Sequence, residues 1–149
     1  MILIIIILFT SVFMEFVAWF MHKYVMHGFG WSLHSDHHKR DNHDSFFELN
    51  DSFFVLFAVL SMIAFSTWSF TDSSIALGIG VGISIYGAIY FFVHDLFIHQ
   101  RIKVLKHTKN RYFLAIRRAH KMHHKHLGKQ KGECFGMLWV PMKYYKKNK

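Results

Sequence analysis

The sequence predicts an all-α integral membrane protein. It is expected to have three main transmembrane helices, a short interfacial segment in place of a fourth span, and cytoplasmic helices carrying a histidine cluster. Three observations carry this. Long apolar runs occupy residues 1–20, 53–70 and 75–93. The basic residues fall only in segments that flank these runs on one side. Histidines recur in ordered groups at the ends of the runs.

The first run contains one charge, Glu15, and the other two contain none. A helix that crosses the hydrocarbon core needs about 20 apolar residues. A chain of 149 residues has too little polar surface to bury three such helices in a soluble core. Spans are therefore expected near residues 1–21, 53–70 and 75–94, within a single domain over 1–149. MILIIIILFT lacks a basic n-region and no clean small-x-small site follows it, so it reads as a retained span and not a cleaved signal. Thr71-Asp72-Ser73-Ser74 is a tight polar turn that pairs the second and third runs as a hairpin. Gly78 and Gly82 are spaced as GxxxG, with Gly80 and Gly87 nearby, which favours close helix packing. Phe135–Tyr145 is aromatic, short and interrupted by Pro141, and reads as interfacial.

All 18 Lys and Arg lie in residues 21–50 and 99–149. The positive-inside rule places both segments in the cytoplasm, with the first span running inward and the hairpin going out and back. The net charge of +9 is then accounted for by topology and anionic headgroups, and nucleic acid is not an expected partner. The single cysteine, Cys134, excludes an intrachain disulfide and thiolate zinc-finger patterns.

This topology gathers the 13 histidines on or near one membrane face. Ten form four groups: His22 and His27 as HxxxxH, His34, His37 and His38 as HxxHH, His94 and His99 as HxxxxH, and His120, His123 and His124 as HxxHH. On a helix, HxxHH turns three rings to one side. HxxxxH does not, since five residues of an ideal α-helix leave two rings about 140° apart. Gly28 and Gly30 after His27 offer a helix end that would bring the first pair together. No such breaker follows His94, so one of His94 and His99 is expected to approach from another angle or to stand behind the ligands. Ten imidazoles suit two metal ions, and imidazole suits Zn, Cu, Fe and Ni. His43, His107 and His126 lie outside the groups and read as solvated, with His43 and His126 near enough in sequence to support the cluster. Three acids are candidates to hold a ligand ring from behind. Glu15 lies two turns before His22, where an intramembrane acid is either a support for a ring or the partner of another polar group in the bundle. Asp95 adjoins His94 and Asp51 precedes the second span, and each reads either as a support for a ring or as an N-cap or exposed acid.

The ordered motifs HKYVMHG, HSDHH, FFELND, FFVHDLFIHQR, AHKMHH and GECFGMLWVP resemble those of the bacterial β-carotene 3-hydroxylases of the fatty acid hydroxylase superfamily, from about Met14 to Pro141. The resemblance implies a non-haem di-iron monooxygenase that uses O2 and electrons from ferredoxin or a similar donor. It would hydroxylate C3 of each β-ionone ring, giving β-cryptoxanthin and zeaxanthin from a carotenoid dissolved in the bilayer. It implies His22, His27, His34, His37, His38, His94, His99, His120, His123 and His124 as ligands of two Fe ions, for which Zn can substitute on overexpression, and a bacterial inner membrane location. Two rival readings remain: the same chemistry on a sterol or fatty acyl chain, and a non-enzymatic zinc-binding membrane protein. The second and third spans have no ionisable residues, which argues against a transporter, and the absence of HExxH argues against a zinc protease.

Overall fold

A computed structural model describes residues 1–39, 47–103, 107–130 and 132–145. His43 and the end of the basic tail lie outside these residues. The described chain is helical, in the order α1 (Ile2–Phe20), a π-helical extension (Met21–Phe29), α2 (Trp31–His38), α3 (Asp51–Thr71), α4 (Ser74–Phe91), a second π-helical extension (Phe92–Ile98) and α5 (Arg111–His123). A 3-10 turn at Met142–Tyr145 closes it.

Three continuous helices, Ile2–Phe29, Asp51–Thr71 and Ser74–Ile98, are long and apolar enough to cross a bilayer. The first and third run past the span ends expected near 21 and 94, because each continues as a π-helix into a histidine motif. Most of α1 faces outward: Ile4, Leu8, Val12 and Phe16 are all exposed, as suits a surface in contact with lipid.

The hairpin turn forms as the sequence suggested. Asp72 takes the left-handed conformation at the end of α3 (φ 51°), where an Asp is tolerated. The Ser73 hydroxyl caps α4 by accepting the Ala76 N–H. The glycines of α4 are packing sites. A Cβ on Gly78 would lie 2.6 Å from Ile6 Cγ2, and one on Gly82 would lie 2.5 Å from Thr10 Cβ, so α1 can approach only a bare backbone there. Gly80 turns the other way, toward the Phe65 ring on α3. Ser61 Oγ donates to Gly80 O at 2.9 Å and Ser11 Oγ to Gly82 O at 3.2 Å, adding polar ties between the spans.

α5 lies outside the bundle and is amphipathic. Asn110 caps it by accepting the Tyr112 and Phe113 N–H groups. Its inner face, Ala115, Ile116 and Ala119, packs with Val93, Met137, Val140 and Tyr144 into a small core. Residues 132–141 run back over this core without regular structure, and Trp139 is 85% exposed. The interfacial segment expected at Phe135–Tyr145 is this strap with its terminal turn.

Candidate metal centre

Both HxxxxH pairs converge, and the π-helical winding is the reason. The His99 N–H donates to His94 O at 2.9 Å and the Gly30 N–H to Val25 O at 2.9 Å, each five residues back. A turn closed over five residues stacks positions i and i+5, which an α-helix cannot do. The rings of His94 and His99 lie 4.5 Å apart and those of His22 and His27 lie 5.3 Å apart. The expectation that His94 and His99 diverge is thus corrected. Gly28 and Gly30 do mark an ending, with the chain leaving helical geometry at Gly28, but the rings are already aligned before it. Left-handed Gln100 (φ 54°) terminates the second π segment.

The ligand-capable atoms form two groups, each with its atoms within 4.8 Å of one another: His22, His27, His34, His38 and His123, then His37, His94, His99 and His120. His124 lies beside the second group, its ring 4.5 Å from His120 and 4.7 Å from His37, and it also stacks on His38 at 4.6 Å. All ten histidines singled out by spacing therefore meet in one cluster, and each HxxHH helix serves both groups.

The hydrogen bonds fix which nitrogen faces inward. His22 Nδ1 donates to Phe135 O (2.9 Å), His27 Nδ1 to Lys129 O (3.0 Å), His38 Nδ1 to His126 O (3.2 Å) and His123 Nδ1 to Glu133 O (2.8 Å). His34 Nδ1 donates to Asn50 Oδ1 (2.6 Å), His37 Nδ1 to Glu48 Oε2 (2.7 Å) and His94 Nδ1 to Asp95 Oδ2 (3.2 Å). Each partner is an acceptor, so each of these neutral rings carries its proton on Nδ1 and a bare lone pair on Nε2. Those Nε2 atoms point at one another: His27 to His123 at 3.2 Å, His34 to His38 at 3.1 Å and His37 to His94 at 3.1 Å. Facing lone pairs at such distances repel unless a cation lies between or beside them. His22 Nε2 and His124 Nε2 are buried with no hydrogen-bond partner among the described residues. The donor set therefore fits metal ions, and outer hydrogen bonds of this kind orient metal-binding imidazoles generally.

Burial disfavours the charged form of His34, His37, His38, His120, His123 and His124. His38 falls to about 4 and His123 to about 3, in both cases chiefly by burial, with neighbouring imidazoles adding to it. His34 falls to about 2 by burial, partly countered by its bond to Asn50. His37, His120 and His124 are lowered for the same leading reason, with further lowering from the imidazoles around them.

Of the acids proposed from sequence, Asp95 binds a ring directly. Asp51 touches no histidine among the described contacts and instead pairs with Arg101 through two bonds of 2.7 and 3.0 Å. Glu15 also touches no histidine among the described contacts. Its Oε1 accepts the backbone N–H groups of Met137, Leu138 and Trp139 at 2.8–3.0 Å, and its Oε2 accepts the Tyr86 hydroxyl at 2.8 Å. Of the two roles left open for it, the geometry is that of a polar anchor. Glu48, Asn50 and Asp36 were not singled out. The first two hold rings, and buried Asp36 accepts the His37 and Leu49 N–H groups, tying α2 to the segment that supplies them. His107 is exposed, and among the described contacts His126 supports His38 by its carbonyl alone.

Two openings reach the cluster. An apolar cavity of about 600 Å³ lies between α1, α3 and α4, and its lining includes His22 and His94, one ring from each group, beside Asp51, Asp95 and Arg101. Its walls include Phe54, Val55 and Phe91, which are also exposed on the outer face of the hairpin. A polar basin of about 1090 Å³ is lined by His99, His120 and His124, with Lys39, Lys121 and Lys125 around it.

The fatty acid hydroxylase family model matches residues 7–142. Over 132 residues the chain is 39% identical to a β-carotene hydroxylase of Pantoea ananas, covering 89% of this chain and 74% of that one. Over 133 residues it is 35% identical to a β-carotene hydroxylase of a Paracoccus species (strain PC1), covering 89% and 80%. A chloroplastic β-carotene 3-hydroxylase of Gentiana lutea is 34% identical over 135 residues, covering 89% of this chain and 41% of that one. No solved structure matches. With three apolar helices and a histidine cluster able to hold metal, the chain belongs to the fatty acid hydroxylase family and is a hydroxylating membrane enzyme.

Proposed function

We propose that the protein is a β-carotene 3-hydroxylase that takes its substrate from the bilayer. The observation that carries this is the apolar cavity, whose walls include residues exposed on the outer face of the hairpin and whose lining includes one ring of each histidine group. A β-ionone ring is apolar and has no handle for a hydrogen bond, so burial against Met14, Phe53, Phe57 and Tyr86 must position it. The polyene chain remains in lipid, and each end of the molecule enters in turn.

Two iron ions held by the ten histidines would supply the O2 activation that places one oxygen atom on the ring carbon and releases the other as water. The chain's own contribution is geometric. Carbonyl and carboxylate acceptors fix the Nδ1 protons and so aim the Nε2 lone pairs. The apolar walls keep bulk water from the ring. Electrons would arrive at the polar basin, where Lys39, Lys121 and Lys125 suit an acidic carrier such as a ferredoxin. The confinement of basic residues to one side supports a cytoplasmic cluster in a bacterial inner membrane.

The test is expression in bacteria that accumulate β-carotene, followed by chromatography of the pigments. Formation of β-cryptoxanthin and zeaxanthin by the intact chain, and its loss in a His37→Ala variant present in the membrane at the same level, is the expected result. Unchanged β-carotene with both proteins, while an added sterol or fatty acyl lipid is hydroxylated, would replace the substrate assignment.

A further inference from the structure

We propose that Arg101 is the positioning residue of the second histidine group, holding two of its rings in place through two different carboxylates. The inference rests on reading the histidine groups as metal ligands. Arg101 Nε donates to Asp95 Oδ1 at 2.8 Å, and one terminal nitrogen lies 3.3 Å from Glu48 Oε2. The same carboxylates carry the rings: Glu48 Oε2 accepts His37 Nδ1 at 2.7 Å and Asp95 Oδ2 accepts His94 Nδ1 at 3.2 Å. His37 and His94 then face each other through Nε2 at 3.1 Å. The connections form a closed circuit from Arg101 through Glu48 and His37 to His94 and Asp95, and back to Arg101.

Asp51 fixes the guanidinium itself by a bidentate pair at 2.7 and 3.0 Å. The Arg101 side chain is only 13% exposed, so the guanidinium is largely withdrawn from water. Local backbone brings it there. Gln100 turns the chain through the left-handed region, and the Arg101 N–H then donates to Asp95 O at 2.9 Å. Glu48 lies just before α3, Asp51 is its first residue and Asp95 lies in the second π-helical extension, so one cation sets the spacing between the two segments that support His37 and His94.

A lysine cannot substitute. Its single ammonium lacks the planar fork that meets Asp51 with two nitrogens and Asp95 with a third. Without the guanidinium, three carboxylates crowd one pocket and repel, and the two rings lose their fixed acceptors. The first group is not exposed to this effect. Its rings bond to the carbonyls of residues 126, 129, 133 and 135 and to Asn50, none of which touches Arg101 among the described contacts.

The test is cobalt(II) binding by the purified full chain in detergent, read as ions retained through dialysis and by the visible spectrum, with wild type, Arg101→Lys and Arg101→Gln. Wild type is expected to retain two ions. Both variants are expected to retain one ion with an unchanged spectral component, while the second binds about 10- to 100-fold more weakly, the usual effect of losing an outer support. The retained ion also reports that the variant is folded. Two ions held with wild-type affinity in both variants, or equal loss of both ions, would overturn the assignment. Fewer than two ions in the wild type would instead overturn the two-metal reading on which it rests.

Discussion

Glu15 shows how a single residue can act on the site without touching it. It accepts three consecutive backbone N–H groups of the strap at Met137–Trp139, and the strap's carbonyls at Glu133 and Phe135 accept His123 and His22. Replacing Glu15 by Gln keeps the shape but weakens charge-assisted bonds, each worth about 1.5–3 kcal/mol. The expected outcome is a lower unfolding midpoint and a faster loss of metal from the first group, measured by thermal unfolding and by metal release to a chelator. The ten histidines were legible in the sequence because spacing alone selected them. Most of their partners were not, since a main-chain carbonyl can be supplied by any residue type and leaves no mark in the sequence. Glu48 and Asn50 sit in FFELND, where nothing separates them from an ordinary acid and an ordinary capping residue.

Among the elements, the spans, the hairpin turn and the absence of a fourth long helix at Phe135–Tyr145 were readable from apolar runs, a four-residue polar turn and Pro141. The π-helical segments were not. A widened turn changes which residues share a face without changing composition, so an α-helical wheel separated His94 from His99. The HxxxxH spacing was itself the signal, because two ligands five residues apart meet on one face when the turn closes over five residues. The glycine face of α4 gives an element-scale prediction. A Gly82→Ala change places its Cβ 2.5 Å from Thr10 Cβ and 3.0 Å from Ile7 O, so α1 must move off α4. Overpacking of this kind costs about 1–3 kcal/mol. Gly87→Ala meets only Phe54 Cε2 at 3.9 Å and should leave stability unchanged or raise it, as helix propensity favours Ala over Gly. Unfolding of both variants in detergent checks the contrast.

At the scale of the molecule, an apolar cavity and a basin edged by lysines meet at one cluster of imidazoles, so the routes proposed for substrate and electrons are separate. The same cluster makes the metal-free protein sensitive to acid. His38 and His123 titrate at about 4 and about 3 when folded, against an ordinary 6.5 when unfolded. Above pH 6.5 both states are neutral and these rings do not affect stability. As pH falls from 6.5 toward about 4, the unfolded chain takes up protons that the folded chain does not, so stability falls through that window. Unfolding of chelator-treated protein across pH 4–8 should show this decline, and bound metal should raise stability near neutral pH, a gain that is lost in acid as protons compete for the same nitrogens.

The central claim is that O2-derived oxygen reaches a carotenoid ring at the histidine cluster. The most direct measurement is mass spectrometry of pigment formed from β-carotene by membranes containing this protein, supplied with reductant under oxygen-18 gas. The account predicts one heavy oxygen in each new hydroxyl group and no product from the His37→Ala variant. Hydroxyl oxygen drawn from water, or labelled product undiminished in that variant, would contradict it.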